Sequence, residues 1–196
     1  ENQAGHSEGA EPVSLINGEF TTSMTDVVIP AKGIPITITR TYGSLRQYNG
    51  RFGYGWDLNY NMRIFELAGG ESVLLRDGRG DKYTYTLQED THRFTRTDPK
   101  NYIRYNGTGA DYPYSLIENT GLEYHFDEYG LLALIEDRIG NTLTFSYESS
   151  SGIPVKSNIT GSSDYFVSGF QGVVGQDYKL TTITDTLGRQ VTLGYN

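Results

Sequence analysis

The chain of 196 residues has no cysteine, which removes disulfide scaffolding, thiol nucleophiles and cysteine-ligated zinc together. Cations are scarce: 16 Lys and Arg stand against 24 Asp and Glu, a formal net charge of -8. Phosphate binding needs clustered Lys and Arg on one face, so nucleic acid is not an expected partner. No run approaches the roughly 18 apolar residues of a membrane span, so none is expected. The first residues, ENQAGHSEGAE, carry neither the basic nor the apolar region of a signal peptide. Residues 1–11 therefore read as a polar, disordered leader. The chain stops at Gly194-Tyr195-Asn196 inside a strand-like pattern, which predicts an excised fragment. No segment sustains a helical period.

What the chain has in quantity is 24 glycines, 16 tyrosines and 8 phenylalanines. Aromatic residues suit pleated surfaces and frequent Gly marks turns, so the expected class is all-β, built of successive antiparallel hairpins. Ile34, Ile36 and Ile38 alternate with Pro35, Thr37 and Thr39, and Pro30 and Pro35 flank the turn. Proline cannot donate to a ladder, which predicts an edge hairpin. Trp56, Leu58, Tyr60, Met62 and Ile64 alternate with Asp57, Asn59, Asn61, Arg63 and Phe65 and read as one strand. Short strands follow at Ser72–Leu75, Lys82–Leu87, His92–Arg96, Asn101–Tyr105 and Tyr114–Ile117. The Ser- and Gly-rich stretch 148–176 reads as an insertion, with one strand candidate at Tyr165–Phe170.

A repeated turn orders these strands. Asp77-Gly-Arg-Gly80, Glu118-Asn-Thr-Gly121, Asp127-Glu-Tyr-Gly130, Asp137-Arg-Ile-Gly140 and Asp185-Thr-Leu-Gly188 each place an acid three residues before a glycine. That spacing fits a type I turn, with the acid capping its start and Gly relaxing its exit. Apolar residues recur three and five positions after each Gly, and around the third turn Leu132 and Leu134 share the two-residue period. The segments 137–147 and 185–195, DRIGNTLTFSY and DTLGRQVTLGY, align at an offset of 48 residues. Unequal spacing elsewhere predicts an array of hairpins rather than a rigid solenoid.

These residues carry a family resemblance. Gly121, Phe126-Asp127, Gly130 and Leu132 resemble the motif of the Rhs/YD-repeat proteins, and Asp185 to Arg189 resembles a second copy. Pro12-Val13, Asn17-Gly18, Ile29-Pro30, Arg40, Tyr42, Gly53, Gly55 and Trp56 are similar to the domain that precedes Rhs repeats. The resemblance implies that domain at 12–66, hairpin repeats at 67–196, and a curved, spiralling sheet forming part of a β-shell. It further implies a non-enzymatic role in enclosing a C-terminal polypeptide, often a toxin, as in the teneurins and insecticidal toxin complexes. The implied partners are the remaining repeats and the cargo, and the implied location is secreted or cell-surface, in a bacterium. Family shells use many more repeats, and no counterpart of the family's self-cleaving signature is present.

Other candidate chemistry is sparse. Asp57 and the pairs Glu89-Asp90, Asp127-Glu128 and Glu136-Asp137 read as solvated turn acids rather than paired catalytic carboxylates. His6, His92 and His125 lack metal-ligand spacing, and His125 reads as a strand side chain; no metal or cofactor is expected. Arg79-Gly80-Asp81 spells an adhesion tripeptide inside a turn that needs its glycine anyway. Asn106-Gly-Thr108 and Asn158-Ile-Thr160 fit the glycosylation sequon. The alternative function is a surface carbohydrate-binding or adhesion module, in which Tyr83, Tyr85, Tyr102, Tyr105, Tyr112 and Tyr114 stack on sugar rings. Packing within the sheet is the competing reading for these rings, and for Trp56. Unpaired edge strands predict self-association.

Overall fold

Short alternating runs separated by glycine turns leave hairpin pairing as the way to satisfy the backbone, and the computed structural model has that form. It describes residues 13–15, 17–47, 49–67, 69–97, 101–149 and 178–195. The leader with His6, the strand expected at Tyr165–Phe170, the Asn158 sequon and nearly all of the 148–176 insertion lie outside them. Among the described residues every regular element is a strand. β1 (Thr21–Ile29) and β2 (Ile36–Gly43) form a hairpin, and β5 (Trp56–Leu58) pairs with the other side of β2. β3 (Asn49–Gly50) and β4 (Gly53–Tyr54) make a small ribbon between them. The prolines bracket the first turn as expected, and β1 is an exposed edge.

A second sheet holds the rest as one antiparallel meander of eleven strands, each beside its sequence neighbours. It begins with β6 (Arg63–Glu66), β7 (Ser72–Arg76), β8 (Lys82–Gln88), β9 (Arg93–Thr95) and β10 (Asn101–Tyr105). It continues through β11 (Tyr114–Glu118), β12 (Glu123–Phe126), β13 (Leu132–Glu136), β14 (Thr142–Ser149), β15 (Tyr178–Asp185) and β16 (Gln190–Thr192). The single strand expected from Trp56 to Phe65 is two, in different sheets. Asn59 and Tyr60 form a corner at which the Asn61 N–H donates to the Leu58 carbonyl at 2.8 Å. Alternation survives the corner because Leu58, Tyr60, Met62 and Ile64 all reach the same core. β6 lies within segment 12–66 yet is paired into the larger sheet, so one core runs through both segments.

The repeat seen in the sequence is a repeat of geometry. Between β12 and β13 the register slips at Ala133, and between β14 and β15 it slips at Thr181, 48 residues on. Each slip is a β-bulge, which bends the strand and increases its twist. The expected Leu132–Leu134 face is corrected by it: Leu132 and Ile135 are buried, while Leu134 stands opposite His125 on the other face. In both copies a tyrosine hydroxyl from beyond the Asp turn donates to the carbonyl just before the bulge. Tyr147 reaches Leu132 at 2.8 Å and Tyr195 reaches Leu180 at 2.9 Å. Burial pushes the Tyr147 hydroxyl far above its ordinary value, so it stays a donor.

The sheet also curls over strands β6 to β12, whose ladders carry no register slip, as the twist of successive strands accumulates. Tyr114 on β11 donates to Glu66 on β6 at 3.0 Å, although five strand spacings in a flat sheet would set them about 24 Å apart. The β12–β13 turn docks on β6 as well: the Ile64 N–H donates to the Gly130 carbonyl at 2.9 Å, and the Arg63 guanidinium to the Tyr129 carbonyl at 3.2 Å. Gly130, at φ 72°, has no room for a Cβ against the Ile64 carbonyl. The sheet is not a closed barrel, because β16 pairs only with β15. Its concave side holds Val73, Leu75, Tyr85, Phe94, Ile103, Leu116, Phe126, Leu143 and Ile183, with Ile36 and Ile38 of the first hairpin packed into the same core. That hairpin is fastened across the curl by Arg189, which donates to the Pro30 carbonyl at 2.8 Å.

Replacing Tyr147 by Phe leaves the ring and removes the bond to Leu132. A loss of about 1–3 kcal/mol is expected from the buried carbonyl left without that donor, read as a lowered urea midpoint. Tyr195→Phe, beyond the end of the last strand, is expected to cost less. Unchanged midpoints in both variants would deny the bond its structural role.

Candidate functional site

The five acid-led turns are the feature the sequence singles out, and the fold distributes them unevenly. In a meander successive turns alternate ends, so those at Asp77, Glu118, Asp137 and Asp185 share one end of the sheet and that at Asp127 lies at the other. All five have one backbone pattern. The acid's N–H donates to the carbonyl four residues on, at 2.9–3.0 Å, and the glycine N–H returns to the acid's carbonyl at 2.9–3.1 Å. Gly80, Gly121, Gly130, Gly140 and Gly188 all have positive φ, between 72° and 89°. This is a type I turn closed by a left-handed glycine, a common three-residue hairpin loop.

The four aspartates cap their turns with one oxygen each. Oδ1 of Asp77 accepts from the N–H groups of Arg79 and Asp81, Oδ1 of Asp127 from Tyr129 and Leu131, Oδ1 of Asp137 from Ile139 and Asn141, and Oδ1 of Asp185 from Leu187 and Arg189, all at 2.8–3.0 Å. Glu118 has one methylene more and caps differently. It accepts from the Thr120 hydroxyl at 3.0 Å, and that hydroxyl takes the Leu122 N–H at 3.4 Å. The second oxygen separates the aspartates further. At Asp137 it receives Asn141 and at Asp185 it receives Arg189, both at 2.7 Å.

Those partners set the titration. The Asn141 side chain holds Asp137 below the ordinary carboxylate value. At Asp185 burial pushes upward, but the Arg189 N–H and guanidinium and the Leu187 N–H outweigh it. Asp77 and Asp127 go the other way, raised by burial against two N–H bonds each. The turns also touch one another. Arg138 crosses Gly121 to the Asn119 carbonyl at 3.1 Å, and the Thr186 hydroxyl meets the backbone of Thr142. These acids are committed to the backbone of their own turns.

Asp57 is the correction among the acids. It is 1% exposed, not a solvated acid. Its Oδ2 is ion-paired with the buried Arg76 on β7, and its Oδ1 accepts from Asn61 Nδ2 at 2.7 Å and the Leu58 N–H at 2.9 Å. Burial pushes the carboxyl upward while Arg76 and the two donors pull against it. The pair ties β5 to β7, in separate sheets, at the corner where the Asp77 turn presses Gly78 against the Asn59 backbone. Nothing in the spacing of residues 57 and 76 signals it. The leading motif residues sit beside it: Tyr42 and Trp56 are tilted rings 5.4 Å apart, and Arg40 lies over Trp56 while its guanidinium chelates Asp26. Gly55 fits against Tyr42 and the Gly43 carbonyl, and Gly53 closes the β3–β4 ribbon, both at positive φ.

The remaining sequence candidates are dispersed. Tyr85 is buried in the core, and Tyr83, Tyr105 and Tyr114 pack against it from the concave side. Tyr102 is out of register with them and lies under Arg93, 4.3 Å from ring to guanidinium carbon; Tyr112 contacts His125. The six rings therefore do not form one exposed face. His92 lies on the β8–β9 turn at φ 52°. His125 is buried, with Nδ1 2.8 Å from the Ser115 hydroxyl and Nε2 3.9 Å from both Glu123 and Glu136. This resembles a Ser-His-acid constellation in composition only. Ser115 is 0% exposed and its oxygen already accepts from Asn106 at 2.9 Å, so no substrate carbonyl can approach it. Asp81, in the adhesion tripeptide, lies 3.7 Å from Arg46. Asn106 of the sequon is bonded to the Tyr112 carbonyl and to Ser115. Among the described residues no group of three His, Cys, Asp or Glu is placed to hold a metal, and no helix is long and apolar enough to cross a membrane.

The arrangement is that of a hairpin-repeat protein whose distinctive residues serve turns, bulges and inter-sheet locks. A family model described as a domain of unknown function, DUF6531, matches residues 10–85, from ahead of β1 into β8. A search of the curated proteins finds no match for the chain.

Two measurements test the acids. Carboxyl carbon NMR is expected to give Asp137 and Asp185 midpoints below the ordinary 3.8 and Asp77 and Asp127 midpoints above it. Stability contributed by the first two is then present above the ordinary value and lost as pH falls through their lowered ones. For the lock, Asp57→Ala strands the Arg76 charge and is expected to cost about 3–5 kcal/mol in chemical denaturation, whereas Asp57→Leu with Arg76→Met recovers most of it.

Proposed function

We propose that the chain is a non-enzymatic structural segment of an Rhs/YD-repeat protein, comprising the domain that precedes the repeats and the first hairpins of a β-shell. In the whole protein that shell encloses a C-terminal polypeptide, a toxin in a secreted or injected bacterial system. The observation that carries this reading is the bulged hairpin that recurs 48 residues on with the same Asp turn and the same Tyr–carbonyl bond. A unit that repeats its bend can be extended without a change of plan. Two further features support it. The main apolar cluster of β6 to β16, from Ile64 and Val73 to Ile183, lies on the concave side, the side an enclosed chain would face. The sheet ends on a strand, β16, that has a partner on one side only.

The reading makes β16 the place where the next repeat pairs. The Leu193 N–H points back to the Thr181 carbonyl on β15 at 2.8 Å. By the alternation of an antiparallel ladder the Gln190 and Thr192 N–H groups point outward. Light scattering is expected to show mass rising with concentration as these edges pair. Thr192→Pro removes one outward donor while sparing the bonds to β15, and is expected to hold the chain monomeric. A wild-type chain that stays monomeric at high concentration, or association that the proline leaves untouched, would count against the reading.

A further inference from the structure

A cleft of about 190 Å³ opens where the curl brings β6 against the β10–β11 connection and the β12–β13 turn. Its chemistry is one-sided. Glu66, Asp127 and Glu128 bring three carboxylates, Tyr105, Tyr114 and Tyr129 bring three rings, and no Lys, Arg or His lines it. Tyr105 and Tyr114 stand 5.2 Å apart with their planes tilted by 39°. The Tyr114 hydroxyl donates to Glu66 Oε2 at 3.0 Å, fixing that carboxylate at the rim while leaving its other oxygen without a hydrogen bond among the described residues. Asp127 is occupied by its turn. Glu66 and Glu128 are exposed, and neither is in an ion pair among the described residues. The Arg63 guanidinium is outside the lining, bonded to the Tyr129 carbonyl and lying over the Phe65 and Tyr178 rings.

Carboxylates beside ring faces, with no cation of their own, make a place where a positive charge gains both Coulomb and cation–π attraction. The volume is below the range of drug-sized ligand sites and suits a single side chain. We propose that this cleft binds an organic cation, an ammonium or guanidinium head on an aliphatic stem, as in a lysine or arginine side chain. The head lies between Glu66 and Glu128, and the stem lies along the tyrosine rings. Three segments distant in sequence build the cleft, so it exists only once the sheet has curled.

The test is a titration of the whole chain, at low ionic strength, with n-butylammonium, n-butylguanidinium and the neutral n-butanol, followed through the tyrosine ring carbons by NMR. Saturable shifts of Tyr105, Tyr114 and Tyr129 are expected with either cation and none with the alcohol. Binding is expected to weaken about tenfold in the Glu66→Gln/Glu128→Gln variant, a change equivalent to about 1.4 kcal/mol, and to weaken with added salt. Both side chains are exposed, so that variant keeps the fold, which its amide spectrum reports. No saturable shift with either cation, an equal response to n-butanol, or undiminished binding by the double variant would overturn the assignment.

Discussion

The curl of the large sheet onto itself is the constraint on which the architecture depends. An eleven-strand meander without bends would be a wide twisted sheet whose apolar face had nothing to pack against, since among the described residues no helix is present to cover it. The curl gives that face a covering, and at Ala133 and Thr181 a bulge bends the later strands further, at the cost of interrupting the ladder beside Leu132 and Leu180. The hydroxyls of Tyr147 and Tyr195 supply those carbonyls with donors. The Tyr147 ring also packs against the core, so one side chain both fills space there and repairs the defect in the ladder. Curvature of the unbulged strands β6 to β12 brings Glu66 to Tyr114 and Arg63 to Tyr129, contacts that a flat sheet would hold apart.

What was legible in the sequence is what is local. Strands β7 to β11 fall within a residue or so of their expected bounds because each is bordered by Gly, Asp, Asn or Pro, whose effects act over three or four residues. The five turns were legible for the same reason, down to the aspartate that caps and the glycine that closes. The 48-residue offset announced the repeat, and the coincident Tyr147 and Tyr195 marked its bonding residue without saying what it bonds to. The Asp57–Arg76 lock was invisible, since its partners belong to different sheets and Asp57 follows a tryptophan in what looks like an ordinary alternating strand. Alternation also concealed the corner at Asn59. A chain can turn and still present every second side chain to the same core, so period alone cannot distinguish one strand from two. Ala133 was hidden by the converse effect: a single extra residue shifts the period, and Leu134 looks like a core residue until the bulge is known.

Glu118 shows which parts of the turn are replaceable. Its backbone bonds and its glycine match those of the aspartate turns, but its side chain is too long to cap, and Thr120 does so instead. The glycine has no such substitute, because every one of the five adopts positive φ, where a Cβ is strained. At Gly121 and Gly130 neighbouring atoms also occupy the space a Cβ would need. The acid therefore sets how firmly the turn is held, and the glycine sets whether it can form.

The two borders of the large sheet differ, and the difference gives the molecule a direction. β6 is occupied beyond its ladder with β7: the β12–β13 turn bonds to it, Arg63 holds that turn, and the Asp57–Arg76 pair fixes the adjoining strand to the first sheet. A further strand has no place there. β16 has a full ladder on one side and outward N–H groups on the other, with the Asp185 turn already fastened to the first hairpin through Arg189. Since a hairpin is stabilised mainly by its neighbours, β16 is the border of this sheet that leaves room for a further strand. The first sheet thus holds β7 through Asp57 and the β15–β16 turn through the Pro30 carbonyl, and leaves the outer edge of β16 open.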